Sequence, residues 1–305
     1  MEDVKKIEIN KDEWKGIAVY ADHVDGDIHP VTFELIGKAK EMAAVTGQEV
    51  YVLFMGKDIR EKSEEILHYG ADKVFLYDKE ELARFKIEPY TAVFEDFIKK
   101  VKPSSILVGA TTVGRQLAPR VAARMKTGLT ADCTILEMNE NTDLSQIRPA
   151  FGGNIMAHIK TPNHRPQIAT VRYKIMNAPA RSEVKSGEIV DCDIDKGKLV
   201  CHVDVIDILP KEKETFIENS EVLVVAGRGV KKSRGFKHAQ GAGRSYGRPG
   251  GMHQTNGRIR LDGCKISDWL KRPYCQAEAD HHLWSFRCHS VCGRHEPFRY
   301  HICNQ

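Results

Sequence analysis

Chemistry-bearing residues in this chain concentrate where apolar runs give way to glycine. Gly227-Arg228-Gly229 closes the run Val222-Leu-Val-Val-Ala226. In a doubly wound fold a dinucleotide's phosphates sit at such a carboxyl end of a strand. Two glycines stand where the full fingerprint has three, so the motif is weak by itself. A second junction is Gly109-Ala-Thr-Thr-Val-Gly-Arg-Gln-Leu-Ala-Pro-Arg120. Thr111 or Thr112 can cap the helix that starts there, and Gly114 permits close approach of backbone. The unpaired amides of such a helix start suit an anion. Arg115, Arg120 and Arg124 recur at helical spacing. They fit a phosphate or partner contact, but the spacing favours a solvated, salt-bridged face.

Two further groups lie elsewhere. Arg148-Pro-Ala-Phe-Gly-Gly-Asn154 joins an Arg-Pro turn to a Gly-Gly bend. It reads as a bulge or hairpin between strands, or as a loop facing a partner subunit or cofactor. In the tail, Cys288, His289, Cys292, His295, His301 and Cys303 are zinc-ligand types, yet their spacing is irregular and no Cys-x-x-Cys pair occurs. Lys231 to Arg260 has eight basic residues and no acid, the composition of a nucleic-acid-binding arm.

The elements that must position these residues alternate. Residues 16–21, 50–54, 73–77, 105–109 and 168–172 read as buried strands. Residues 30–46, 59–69, 90–101 and 112–126 read as helices, the first ending at Gly47 and the second at Gly70. The alternation predicts a doubly wound, mostly parallel sheet with right-handed crossovers. Residues 133–170 read as β-rich and irregular. Residues 174–219 read as an edge strand or arm, with alternation at Leu199 to Ile206, followed by a linker around Pro210.

Composition narrows the class. The chain has 305 residues, enough for two domains, and its 41% hydrophobic and 29% charged content is that of a globular protein. The net charge of +4 misleads. Residues 241–305 hold ten Lys/Arg against five Asp/Glu, so the remainder is near neutral. That remainder offers no electrostatic reason to expect nucleic acid or an anionic membrane. No apolar run approaches the ~20 residues a bilayer span needs. The acidic, cysteine-free start lacks the look of a signal or transit peptide, so a cytoplasmic protein is expected. Cys133, Cys192 and Cys201 suggest no disulfide framework.

Taken together, the segments 107–133, 148–157, Val171-Arg172 and Val225–Gly229 make the chain resemble the α-subunit of an electron transfer flavoprotein over roughly residues 16–240. The resemblance implies a nucleotide-hydrolase-like α/β domain over 1–205 that packs on a β-subunit, a linker at 206–220, and the start of a Rossmann-like FAD domain at 221–240. It implies that Gly227, Arg228 and Gly229 lie at FAD, with Arg228 in contact. It also implies no catalytic triad and no metal: an electron carrier rather than a stand-alone enzyme, serving an acyl-CoA dehydrogenase or similar flavoprotein in fatty acid β-oxidation. The alternative is a nucleotide-binding α/β module with a basic or zinc-binding tail.

The family's later segments are not visible after Gln240. Displacing the frame by one inserted base just after that codon makes the tail compatible with them in order: an Arg-Pro segment, a Gly-Trp, a Ser-Gly-Arg-Thr-Val loop, and a strand ending Gly-Val-Ser-Gly-Ala-Ile-Gln. Residues 241–305 are therefore expected to be a frameshifted, poorly ordered tail. The FAD domain would be truncated to one strand without sheet partners, and FAD binding impaired.

Overall fold

The computed structural model describes residues 10–24, 26–151, 155–203, 205–206, 225–226 and 251–252. The chain divides into two units, 1–205 and 206–305. In the first unit the apolar runs become strands, because a parallel strand covered on both faces must be apolar throughout. The elements begin with β1 (Ile17–Tyr20), the short hairpin β2 (His23–Val24) and β3 (Asp27–Ile28), α1 (Val31–Thr46), β4 (Val50–Gly56), α2 (Arg60–Leu67) and β5 (Lys73–Asp78). They continue with α3 (Ile87–Val101), β6 (Ser105–Gly109), α4 (Thr112–Arg124), β7 (Leu129–Cys133), β8 (Ile135–Met138), β9 (Leu144–Ala150), β10 (Ile155–Lys160), β11 (Gln167–Val171) and β12 (Glu188–Asp191).

Seven strands form one sheet in the order β12-β5-β4-β1-β6-β11-β7, and every pairing is parallel. Successive side chains of a strand point to opposite faces. Ile17 and Val19 of β1 therefore join α1 and α2 on one side, while Ala18 and Tyr20 join α3 and α4 on the other. The predicted apolar face of α1, comprising Val31, Leu35, Ile36, Ala39, Met42 and Ala43, is buried throughout. Strand order reverses between β1 and β6, which puts a crevice outside their carboxyl ends.

The irregular stretch after Cys133 is a separate antiparallel sheet, β10-β9-β8. Arg148 and Pro149 lie within β9, so the hairpin reading of this segment holds. Pro149 falls past Leu144–Ile147, the part of β9 that β8 pairs, so its missing N–H breaks no bond on that side. β7 was not foreseen. It is half polar, and its partner β11 arrives only after the small sheet.

Residues 172–203 form an arm that crosses α1 and α2 and then passes to the α3 side, where Ile194 and Leu199 join the core beneath α3 and α4 and His202 meets Glu88. Arg181 pairs with Glu65 at 2.7 Å and Lys185 with Glu64 at 2.5 Å. The arm supplies the expected edge strand, but at Glu188–Asp191 rather than in the alternating stretch, where Val200, Val203 and Val205 are exposed. Gly187 packs against the Ala71 and Asp72 carbonyls and sets the register beside β5.

In the second unit, Val225–Ala226 pairs in parallel with Gly251–Met252. The expected first strand of this region therefore has a sheet partner, contrary to the expectation that it has none. Backbone hydrogen bonding can join two such short segments whatever their side chains. No described helix is long and apolar enough to cross a membrane.

Candidate functional site

The crevice at the strand-order reversal is built from Asp22 after β1 and Thr111 after β6. Thr111 is the N-cap of α4: its hydroxyl accepts from the Gly114 N–H at 3.0 Å and donates to the Asp22 carboxylate at 2.5 Å. Asp22 is buried, and its own N–H donates to the Thr32 hydroxyl at 3.2 Å. Gly109 and Gly114 make the junction tight. A Cβ on Gly114 would stand 1.9 Å from the Gly109 carbonyl oxygen, and one on Gly109 would stand 2.6 Å from the Val31 side chain. Of the two caps foreseen, Thr111 or Thr112, the structure uses Thr111, and the close approach foreseen for Gly114 is present. What the sequence reading missed is Asp22. A carboxylate of the chain itself stands beside the helix start where an outside anion was considered. Its signal was available, as a polar residue two positions after the buried Tyr20.

Arg115, Arg120 and Arg124 carry ion pairs on a half-exposed face: Arg115 with Asp132 at 3.2 Å, Arg120 with Glu88 at 3.7 Å and Arg124 with Glu95 at 2.6 Å. The salt-bridged reading of this face holds. Asp132 sits in the left-handed region at φ 59°. It occupies a register shift between β7 and β11, with its N–H on the Thr170 hydroxyl and Arg172 at 3.7 Å from its carboxylate. The neighbouring thiol of Cys133 is pushed up to about 12 by burial, against the opposing pull of Arg148. It is therefore protonated and unreactive at neutral pH.

Glu34 is another buried carboxylate that sequence gave no sign of. Both its oxygens accept from the Lys174 N–H, at 3.0 and 3.2 Å. Burial raises its pKa to about 7, against backbone hydrogen bonds from Lys174, Met176 and Ile175 that lower it. It ties the arm to α1.

At the opposite, amino-terminal edge of the sheet is an open groove of about 660 Å³, lined by Lys11, Trp14, Gln48, Tyr51 and Thr142 among others. It touches none of the predicted site residues.

Gly227, Arg228 and Gly229 lie outside the described residues, as do the tail's Cys and His residues. The described strand Val225–Ala226 ends one residue before Gly227, which is the strand-to-glycine context a diphosphate site requires. Among the described residues no group of three or more His, Cys, Asp or Glu could hold a metal ion.

An all-parallel, doubly wound unit with a small antiparallel sheet inserted before its β11 strand belongs to the doubly wound α/β class of fold. Residues 17–196 match the family model described as the electron transfer flavoprotein domain. The chain belongs to the electron transfer flavoprotein family and is of α-subunit type. It is 62% identical over 231 residues to the lactate dehydrogenase (NAD(+),ferredoxin) subunit LctC of Acetobacterium woodii, a match covering 76% of this chain and 55% of that protein. It is 40% identical over 238 residues to the electron transfer flavoprotein subunit alpha of Clostridium acetobutylicum, covering 75% and 69%. It is 36% identical over 236 residues to the protein FixB of Clostridium saccharobutylicum, also covering 75% and 69%. The chain thus spans about half the length of the first of these relatives and about two thirds of the others.

Proposed function

We propose that this chain is an α-type electron-transfer subunit that works as a heterodimer with an electron transfer flavoprotein β-type chain. In its intact form it uses FAD, held at Gly227, Arg228 and Gly229. The observation that carries this reading is the family match over 17–196, together with 62% identity to a subunit of a lactate dehydrogenase (NAD(+),ferredoxin). When bound, FAD accepts and passes single electrons. The protein's part is to hold the cofactor and set its surroundings, with the Arg228 cation favouring reduced, anionic forms by Coulomb attraction.

The electron donor is a flavoprotein dehydrogenase. Two relatives bear on which kind: the 62% identical one is named for lactate, and a 32% identical one for acryloyl-CoA reductase. The first weighs more heavily, so a 2-hydroxy acid dehydrogenase is the better candidate than the acyl-CoA dehydrogenase of fatty acid oxidation. The competing reading, a nucleotide-binding module, meets the Asp22 carboxylate beside the α4 start, where a phosphate would be repelled.

The domain scheme belongs to the same proposal: 1–205, a linker at 206–220, the FAD domain beginning at 221, and a frameshifted tail at 241–305. In support, about a quarter of the chain lies outside the match to each quoted relative. The test is co-expression of this chain, and of a version with one base removed after the Gln240 codon, with the β-type chain. The corrected version is expected to co-purify with flavin absorbance. If it co-purifies with the partner but carries no flavin, the cofactor assignment is wrong.

A further inference from the structure

The arm's hold on the first unit ends at one carboxylate. Ile194 and Leu199 are its last buried apolar residues, both in the core beneath α3 and α4. Past Leu199, which is 4% exposed, apolar burial stops: Val200 is 60% exposed, and Val203, Val205 and Ile206 are exposed as well. The chain is nevertheless held three residues further on, by Glu88 in the first turn of α3. The His202 N–H donates to the Glu88 carboxylate at 2.8 Å, and the His202 Nδ1 lies 3.2 Å from the same oxygen. A ring nitrogen so close to a carboxylate carries its proton. The Cys201 thiol is hydrogen-bonded to Glu88 too and stands 3.3 Å from the Val203 carbonyl. Among the described residues no other hydrogen bond or ion pair joins 200–206 to the body of the unit.

Glu88 suits this work. An acid in the first turn of a helix meets the positive end of the helix dipole, and the Lys86 side chain at the N-cap makes no capping bond there. The His202 N–H foremost, then its ring, hold the Glu88 carboxyl below the usual carboxylate range, so it is ionised at neutral pH. Arg120, at 3.7 Å, adds a weaker pull on the other side. Three residues of extended chain span up to about 10 Å. The contact at Glu88 therefore decides, by that distance, where the chain leaves for the second unit, which begins at Ile206. A half-exposed polar contact without apolar support opens locally well before the core does.

We infer that Glu88 is a clasp that sets the exit point of the chain from the first unit: closed, the chain leaves at Val203; open, it leaves at Leu199. The inference goes beyond the electron-carrier reading and needs neither flavin nor partner. It gives the second unit a tether of two lengths, and the effective concentration of a tethered unit depends on tether length.

The test uses the full chain. It follows hydrogen exchange at the His202 amide and alkylation of Cys201 by iodoacetamide, read peptide by peptide by mass spectrometry. Glu88→Ala is expected to speed both about 10-fold, with exchange at Glu188–Asp191 and the thermal midpoint unchanged. Glu88→Gln keeps the shape and an acceptor oxygen but not the charge, and is expected to fall between wild type and alanine. It decides the same question should the alanine variant fold poorly. Added salt is expected to speed His202 exchange in wild type and to have no effect in Glu88→Gln, because only the charged contact is screened. Wild-type rates in both Glu88 variants overturn the inference, since the segment is then free already or held elsewhere. Faster exchange spread equally to Glu188–Asp191 also overturns it, since Glu88 would then hold the whole arm and set no exit point.

Discussion

The Thr111 hydroxyl donates to the Asp22 carboxylate at 2.5 Å and joins the carboxyl ends of β1 and β6 where strand order reverses. One hydroxyl does two jobs, since it also accepts from the Gly114 N–H at 3.0 Å. Thr111→Val keeps the shape and removes both bonds, leaving a buried carboxylate short of a donor. A loss of about 2–4 kcal/mol is expected in urea unfolding. A loss below about 0.5 kcal/mol would show that water replaces the hydroxyl and that the contact is incidental.

Gly114 and Gly47 separate two reasons for glycine. Gly114→Ala drives a Cβ to within 1.9 Å of the Gly109 carbonyl oxygen, so α4 must move. More than about 3 kcal/mol should be lost. Gly47→Ala meets nothing within 4 Å, and only its φ of +66° opposes it. That cost should be about 1 kcal/mol. Equal midpoints for the two variants in thermal unfolding would contradict the packing argument.

Glu34 should make stability fall as pH rises. Its folded pKa of about 7 lies above the ordinary 4.5. The unfolded chain therefore gives up this proton first, and ionisation favours unfolding across that window. The contribution is complete below pH 4.5 and lost by the time pH passes 7, on the order of 3 kcal/mol. Carboxylates with lowered pKa, such as Asp143 between Lys11 and Arg165, act oppositely at more acid pH. Subtracting the profile of Glu34→Gln isolates the effect. A wild-type-minus-variant difference that stays flat from pH 4.5 to 7.5 would rule it out.

The ion pairs of Arg120 and Arg124 are half-exposed and screened. Each alanine variant should change stability by no more than about 0.5 kcal/mol. A loss above about 2 kcal/mol in either would mean that the face is not merely solvated.

Much of the fold was legible because both faces of the sheet are covered. Ile17–Tyr20, Val50–Gly56 and Ser105–Gly109 are apolar at nearly every position, and α1 shows its buried stripe and its terminal Gly47. β7 escaped, and β12 was expected but misplaced, for the opposite reason. They are the two edges of the sheet, and an edge strand carries polar residues on its open side. The alternation at 199–206 pointed to a strand that did not form there, because position beside β5 was already taken by Glu188–Asp191.

The sequence by itself determined the fold class, the family and a threonine-capped junction at 111 or 112. Those depend on local periodicity, on helix-cap chemistry and on long motifs read in order. Only the tertiary structure decided that Asp22 meets Thr111, that Glu34 holds the 174–176 backbone, and that Arg115 and Arg172 meet at Asp132. These groups are 89, 140 and up to 57 residues apart along the chain. Such meetings are set by strand order and crossover, and a carboxylate's neighbours across a sheet leave no imprint on the residues beside it in sequence.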